Sequence, residues 1–129
     1  MVRGIRGAAQ CPDGRPETVV ATAQALLESV RIANGLDPGD VAAIFFTVTP
    51  DLNQAFASQA ARHLQWAHVP LIDVAQAPVD GDMPRVLRVL LLWNTDLPQD
   101  KVRHVYLGKA AALRPDLAAE AGLVGGAGA

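Results

Sequence analysis

Short apolar runs and two periodic stretches alternate along the chain and predict its secondary structure. Five runs of apolar and β-branched residues, bounded by Pro, Gly, Asp or Asn, are typical of strands. They cover residues 1–9, 41–48, 68–74, 86–93 and 102–107. Apolar residues at helical spacing predict two main helices, over 17–34 and 53–65, and a helical turn over 109–113. Strands and helices in this mixed order indicate an α/β or α+β fold.

The most apolar of these strands, residues 86–93, carries a single charge, Arg88. Side chains alternate between the two faces of a strand, so Arg88 shares its face with Leu90 and Leu92. A guanidinium on so apolar a strand needs an anion, because an unpaired buried charge is very costly. Either a carboxylate elsewhere in the fold or a ligand supplies that anion.

One face of the predicted sheet has no obvious cover. Two helices cover only one face of five strands well, so we expect the other face to lie open. We expect it to carry apolar residues of the central strands, namely Leu90, Leu92, Ile44 and Phe46. A large exposed apolar face usually marks an association surface, and a closed symmetric oligomer with its sheets packed face to face would cover it.

Composition excludes several classes of protein. No stretch approaches the ~20 apolar residues that span a membrane, and residues 1–8 lack the long apolar region of a secretory signal. The formal net charge of −2 and the dispersed basic residues argue against a nucleic-acid partner. The single cysteine, Cys11, fits a reducing cytoplasm. We therefore predict a cytoplasmic protein without a membrane or nucleic-acid partner, built as one domain over 1–117 with a flexible Ala/Gly-rich tail over 118–129.

The chemistry on offer is a set of cations and hydrogen-bond donors. The histidines lack the spacing of metal ligands, no glycine-rich phosphate loop opens a helix, and Cys11 has no activating base nearby. What remains is Arg6, Arg62, Arg88, Arg114 and Tyr106. Guanidinium groups bind carboxylates through paired hydrogen bonds. Such a site can catalyse the unimolecular rearrangement of a small polyanion by holding its reactive shape and stabilising the charge that develops.

Four blocks of sequence carry a family resemblance: RGIRGA (3–8), TPDL (49–52), LRVLLLWNTDLPQ (87–99) and RHVYLGKAAALRPDL (103–117). In order and spacing they resemble the AroH class of monofunctional chorismate mutases. The resemblance implies a mixed five-stranded sheet with helices packed on it, in a pseudo-α/β-barrel homotrimer with active sites at the subunit interfaces. It also implies the Claisen rearrangement of chorismate to prephenate, in aromatic amino-acid biosynthesis or a side pathway, with no cofactor, no metal and no covalent intermediate.

The same resemblance assigns roles to individual residues. Arg88 would reach the ether oxygen and a carboxylate of chorismate, and would stabilise partial negative charge as the C–O bond breaks. Arg6 and Tyr106 would hold the side-chain carboxylate. The remaining residues would wall or close the pocket: Phe56 and Arg62 from the neighbouring subunit, Ala57 and Gln59 as further substrate-binding positions with Gln59 at the rim, Leu71, Ile72 and Asp73 beside the ring, and Leu113 and Arg114 at the C-terminal end.

Two departures from the family pattern stand out at the catalytic positions, and Gln59 stands where some members carry a lysine. Gln76 occupies the place of a glutamate that usually accepts from the substrate's hydroxyl and balances Arg88. Asp73 lies three residues earlier, where the family commonly has a small or neutral residue. We expect a carboxylate swap, in which Asp73 pairs with Arg88 or accepts from the hydroxyl, because a desolvated arginine cluster favours one compensating carboxylate. In the alternative, Asp73 is a structural partner of Arg88 and activity is weak.

Three functions compete on this evidence. The first is chorismate mutase. The second is an enzyme of the same fold acting on a related enolpyruvyl cyclohexadiene, which Gln76 and Asp73 would permit. The third is a catalytically silent trimer that binds a carboxylate ligand or a protein partner. The presence of Arg6, Arg88 and Tyr106 counts against the third, since a silent trimer needs none of them, and we favour the first.

Overall fold

The fold is a single mixed sheet with one long helix packed on it, seen in a computed structural model that describes residues 1–53, 55–66 and 68–113. The strands are β1 (Val2–Gln10), β2 (Val41–Val48), β3 (Leu71–Ala75), β4 (Val86–Asn94) and β5 (Val105–Leu107). The α-helices of the described part are α1 (Pro16–Asn34) and α2 (Gln59–His63), and its 3-10 helices are Pro38–Asp40, Gln99–Lys101 and Gly108–Leu113.

The sheet order is β3-β2-β4-β1-β5. β4 lies at the centre and pairs antiparallel with both β1 and β2, whereas β5 and β3 join the edges in parallel pairings. The predicted mixed five-stranded sheet is therefore confirmed. The predicted tail over 118–129 lies outside the described residues.

The prediction of a second main helix over 53–65 is wrong in its first half. α2 spans only Gln59–His63, and Phe56 lies in the turn before it with 66% of its surface exposed. The backbone N–H of Ser58 donates to the side chain of Asp73 at 3.1 Å. Because that N–H is engaged by a residue of β3, a long-range contact replaces a helical hydrogen bond and delays the start of the helix.

Two predicted strands are also shorter than expected. The strand over 102–107 begins only at Val105, because the side-chain amide of Asn34 bonds both the N–H and the carbonyl of Arg103 at 2.9 Å. The strand over 68–74 begins at Leu71, since Pro70 has no N–H to give to a ladder. In the first case, the backbone groups of Arg103 bond to a side chain instead of a neighbouring strand. In the second, Pro70 has no N–H group for the sheet to use.

One face of the sheet is buried and the other is open, as predicted, but the residues of β2 face the opposite way from the prediction. In β4, Val89 and Leu91 are buried beneath α1 while Leu90 is 40% exposed. The expectation that Ile44 and Phe46 lie on the open face is wrong, because both are fully buried on the helix side. The open face of β2 carries Phe45 instead, which pairs with Leu90 and is 38% exposed.

A network of hydrogen bonds joins the end of β2 to the start of β4. Asp51 accepts from the Thr49 hydroxyl at 2.5 Å and from the backbone N–H of Arg85 at 3.0 Å. Thr49 Oγ1 in turn accepts from the N–H of Val86 at 3.0 Å. Arg85 has a φ of 54°, and its side chain donates to the carbonyl of Cys11 at 3.0 Å. The TPDL block therefore fixes the point at which β4 begins.

At Gly7, β1 closely approaches its neighbours. A Cβ at this position would lie 3.0 Å from Val89 Cγ1, 3.2 Å from Leu26 Cδ1 and 3.2 Å from the carbonyl oxygen of Val105. The second strand glycine, Gly4, has room, since its Cβ would meet Leu90 Cδ1 at an ordinary 3.6 Å. Gly7 thus lets α1 and β5 pack tightly against the strand that carries Arg6.

We predict that Gly7→Ala lowers the free energy of unfolding by about 1–3 kcal/mol, because the added methyl group overpacks a closed space. Urea unfolding followed by circular dichroism measures the change. Gly4→Ala is the matched control and should shift the midpoint far less. Equal midpoints for the two variants would contradict the close packing at Gly7.

Candidate active site

Three of the predicted polar residues meet on the open face of the sheet. Arg6 of β1, Arg88 of β4 and Tyr106 of β5 line one cavity of about 380 Å³. The strand register explains why they meet, since Ala8 pairs with both Arg88 and Tyr106. The other lining residues are Gly7, Phe45, Thr47, Val89 and Leu90. The cavity therefore combines two guanidinium groups and a phenol ring with an apolar floor.

The guanidinium groups of Arg6 and Arg88 have no carboxylate partner within the described residues. The ion pairs found there involve Arg15 and Arg31, which lie on the first loop and on α1. Arg88 is partly exposed and Arg6 is exposed. Of the two sources of an anion that the sequence left open, a carboxylate of the fold and a ligand, the described part of this chain does not supply the first.

Hydrogen bonds fix the strand that carries Arg6. The backbone N–H of Arg6 donates to His104 Nδ1 at 2.9 Å, so this nitrogen accepts and carries no proton. The side chain of Gln99 extends the same edge, since it donates to the Gly4 carbonyl at 2.7 Å and accepts from the Gly4 N–H at 2.9 Å. His104 and Gln99 belong to the conspicuous blocks at 87–99 and 103–117, and both have a structural role.

Tyr106 is buried in a small cluster of its own on the open face. Its ring packs with Ala8 and Ala110, and Leu113 packs against the same group from the last 3-10 helix. Leu113 therefore packs near Tyr106, and its role in closing the pocket stays a prediction. Arg114, predicted to close the pocket, lies outside the described residues.

A second cavity, of about 300 Å³, lies at the β3 edge of the sheet. Phe56, Asp73 and Gln76 line it together with apolar residues of β2 and the loop that follows. Asp73 pairs in register with Phe46, a core residue, whereas Arg88 pairs with Thr47 of the open face. The expected pairing of Asp73 with Arg88 within one chain is therefore wrong, because the register puts them on opposite faces. Instead, Asp73 accepts from the N–H of Ser58.

The side chain of Gln76 is bonded at one end only. Its Nε2 donates to Asp82 Oδ2 at 2.8 Å, and its backbone N–H donates to the Val48 carbonyl at 3.3 Å. Its Oε1 is buried and has no hydrogen-bond partner. Sequence reasoning missed Asp82, for which the only signal was a carboxylate beside Gly81 in the loop after β3.

The remaining predicted residues are dispersed. Ala57 is buried in the core, and Gln59 lies in a cleft between α1 and α2 that His63 also lines. Arg62 is exposed on α2, and Leu71 and Ile72 are exposed along β3. One chain thus holds two separate groups of candidates, one on the open face and one around β3 and α2.

Comparisons with known proteins agree on one family. The family model described as chorismate mutase type I matches residues 2–117. Chorismate mutase AroH of Thermus thermophilus is 51% identical over 118 residues, which cover 91% of this chain and 97% of that protein. Chorismate mutase AroH of Bacillus subtilis strain 168 is 39% identical over 118 residues, covering 91% and 93%. The solved structure of a chorismate mutase from Clostridium thermocellum has a TM-score of 0.83 and 37% identity, covering 84% of this chain and 97% of that one.

Neither a reactive thiol nor a metal cluster accompanies these cavities in the described part of the chain. No group of three or more His, Cys, Asp or Glu side chains there could hold a metal ion, and no helix there is long and apolar enough to cross a membrane.

Cys11 is fully buried, and the loss of solvent raises the pKa of its thiol. A thiol with a raised pKa is a weak nucleophile.

We predict that Cys11 resists alkylation by iodoacetamide in the folded protein at mildly alkaline pH and reacts readily after unfolding in urea. Burial blocks access, and the raised pKa keeps the thiol protonated. Mass spectrometry of the intact chain counts the adducts. Alkylation of the native protein at the rate of the unfolded one would contradict this account.

Proposed function

Because the chain belongs to the chorismate mutase type I family, we propose that it is an isomerase that converts chorismate to prephenate, in a pocket that two subunits form together. The observation that carries this proposal is the cavity on the open face. Arg6, Arg88 and Tyr106 converge there, and neither guanidinium has a carboxylate partner among the described residues. Such a cavity suits a small molecule with two carboxylates.

The rearrangement needs positioning and charge stabilisation, which these residues can supply. Arg6 and Tyr106 hold the side-chain carboxylate and so restrict the substrate to the folded shape in which the new C–C bond can form. Arg88 lies at the centre of the sheet and faces the ether oxygen. As the C–O bond breaks, negative charge grows on that oxygen, and a fixed guanidinium in an apolar cavity stabilises it more than water does. No proton transfer and no covalent intermediate are required.

The pocket is completed by a second copy of the chain. The open face exposes apolar side chains that an isolated subunit would leave in water: Phe45, Ile72, Val74 and Leu90. Phe56, also exposed, lies with Asp73 in the other cavity, which cannot meet Arg88 within one chain. We propose a homotrimer with its sheets facing inward, in which Phe56 and Arg62 of one subunit close the Arg88 cavity of the next.

Asp73 supplies the negative charge that Gln76 lacks, across the subunit interface rather than within one chain. Its carboxylate lies at the β3 cavity, held by the N–H of Ser58. When a second subunit covers the cavity on the open face, the Asp73 carboxylate of that subunit offsets the positive charges of Arg6 and Arg88. An isolated subunit has no carboxylate among its described residues that does so. Leu71 and Ile72, exposed on the same strand, line the ring, and Leu113 with Arg114 closes the pocket. We place this single-domain enzyme in the cytoplasm, where its one cysteine stays reduced.

We predict that Arg88→Ala lowers kcat/KM for chorismate by about 10²-fold or more, because one charge-stabilising donor is lost. The kcat/KM of Arg88→Lys should lie between those of the wild type and Arg88→Ala, since lysine keeps the charge but loses the paired donors. The decrease in chorismate absorbance measures the rate. Arg15→Ala removes an exposed arginine far from the cavity and is the matched control. Full turnover by a folded Arg88→Ala variant would rule out this mechanism.

We predict that Asp73→Ala and Asp73→Asn both lose most of the activity. Asparagine separates charge from structure, because its Oδ1 can still accept from Ser58 while its side chain is neutral. If the two variants are equally impaired, the charge is what matters. Steady-state kinetics with a thermal unfolding control tests this. Unchanged turnover by either variant would contradict the hypothesis that the charge of Asp73 replaces the one missing at position 76.

A further inference from the structure

The loop that follows β3 contains a carboxylate bonded to the amide of Gln76. Gln76 Nε2 donates to Asp82 Oδ2 at 2.8 Å, and Asp82 Oδ1 accepts from the N–H of Met83 at 3.0 Å. Both carboxylate oxygens of Asp82 are therefore engaged. Gln76 lines the cavity that also contains Asp73, so Asp82 stands one hydrogen bond behind the wall of the proposed active site.

The backbone of the loop fixes the place of Asp82. Its N–H donates to the carbonyl of Val79 at 3.2 Å, which closes a turn. Gly81 within that turn has a φ of 81°, a conformation that glycine adopts without strain. Asp82 is thus held by the main chain on one side and by Met83 on the other. The Asp82 side chain thus has a hydrogen bond besides the one to Gln76, whereas the Gln76 side chain is bonded only to Asp82 among the described residues.

A carboxylate sets the direction of an amide that it contacts. An ionised carboxylate only accepts hydrogen bonds, so Asp82 requires the Nε2 end of Gln76 to face it. The Oε1 end then points away and is an acceptor without a donor, since it is buried and unpartnered. A buried acceptor without a donor is costly, and a hydroxyl group is the simplest ligand group that would relieve that cost.

We propose that Asp82 is a positioning residue of the active site, which fixes Gln76 as the acceptor for a hydroxyl group of the substrate and supplies negative charge behind it. This inference rests on the proposed function. Gln76 Oε1 has almost no accessible surface in the isolated chain, so the inference requires the cavity walls to shift when the hydroxyl group binds. Asp82 and Asp73 then divide the task, since Asp73 places its charge at the cavity while Asp82 orients the acceptor.

The first test compares two aspartates of the same loop. Asp82→Asn should lower kcat/KM for chorismate about ten- to a hundredfold, with most of the loss in kcat, because a charge-assisted hydrogen bond is removed and the amide of Gln76 is free to turn. Asp80 is exposed and has no hydrogen bond to any described residue, and Asp80→Asn removes the same charge without the contact. It should change kcat/KM less than about twofold.

The second test reverses the pair. In Gln76→Glu with Asp82→Asn, the carboxylate moves to position 76 and the amide to position 82, and a hydrogen bond between the same two sites can form. We expect this double variant to recover at least the wild-type rate. Gln76→Glu alone places two carboxylates at hydrogen-bond distance, which raises the pKa of the pair. Its activity should fall as the pH rises through that pKa and the shared proton is lost, whereas the double variant should lack this dependence.

The outcomes separate the two claims. Loss in Asp82→Asn, recovery in the double variant and the pH dependence of Gln76→Glu support the inference. A wild-type rate in Asp82→Asn would overturn the role of Asp82, and so would a loss of activity that the double variant does not recover. In either case, turnover that depends on Arg88 would still support the proposed function. If Asp82→Asn fails to fold, the reversed pair and Gln76→Glu decide the matter by themselves. A wild-type protein that does not convert chorismate overturns the proposed function itself.

Discussion

The alternation of side chains along β4 decides which residues meet on the open face of the sheet. Every second residue of this central strand is buried under α1, so Arg88 and Leu90 must face the other way. The antiparallel pairing with β1 and the parallel pairing of β1 with β5 then bring Arg6 and Tyr106 to the same face. A slip of one residue in either pairing would move these side chains under the helix. The Thr49–Asp51 network at the start of β4 holds the register.

The same alternation is the reason why we propose that one subunit is not the whole enzyme. An arginine can lie on the uncovered face of an isolated sheet only because water still reaches it. Association removes that water, and the cost of desolvating Arg6 and Arg88 must be offset by opposite charge. In our account the dianionic substrate supplies most of it. We propose that Asp73 reaches the cavity from a neighbouring subunit and that Asp82 acts through Gln76, which would make a neutral glutamine compatible with a charged pocket.

Much of the fold could be predicted from the sequence, because its strongest features are local. The run at 86–93 has one charge among apolar residues, and its two faces could be assigned correctly. β2 could not be assigned in the same way, since VAAIFFTV is apolar on both faces and alternation is invisible in it. Phe45, rather than Ile44 or Phe46, faces outward only because of its pairing with Leu90. The late start of α2 could not be predicted either, since it depends on a long-range contact between Ser58 and Asp73.

The candidate site was predictable in its residues but not in its arrangement. The arginines and Tyr106 were found because few other polar groups lie on the strands. The failure of Asp73 to meet Arg88 follows from the β2–β3 register, which no local pattern encodes. Asp82 was missed for a similar reason, since its contact with Gln76 depends on a turn that brings residues six apart together.

Mixing two inactive variants shows whether neighbouring subunits share one pocket. Arg88→Ala removes the charge on the open face, and Phe56→Asp places a repelling carboxylate at the other cavity. Each variant alone should be inactive. If subunits share the pocket, co-refolded mixtures should regain activity, since roughly a quarter of the sites in random trimers then combine an intact Arg88 with an intact Phe56 of the neighbour. Mixtures that are folded and trimeric yet no more active than the separate variants would show that each pocket lies within one chain and would contradict the account.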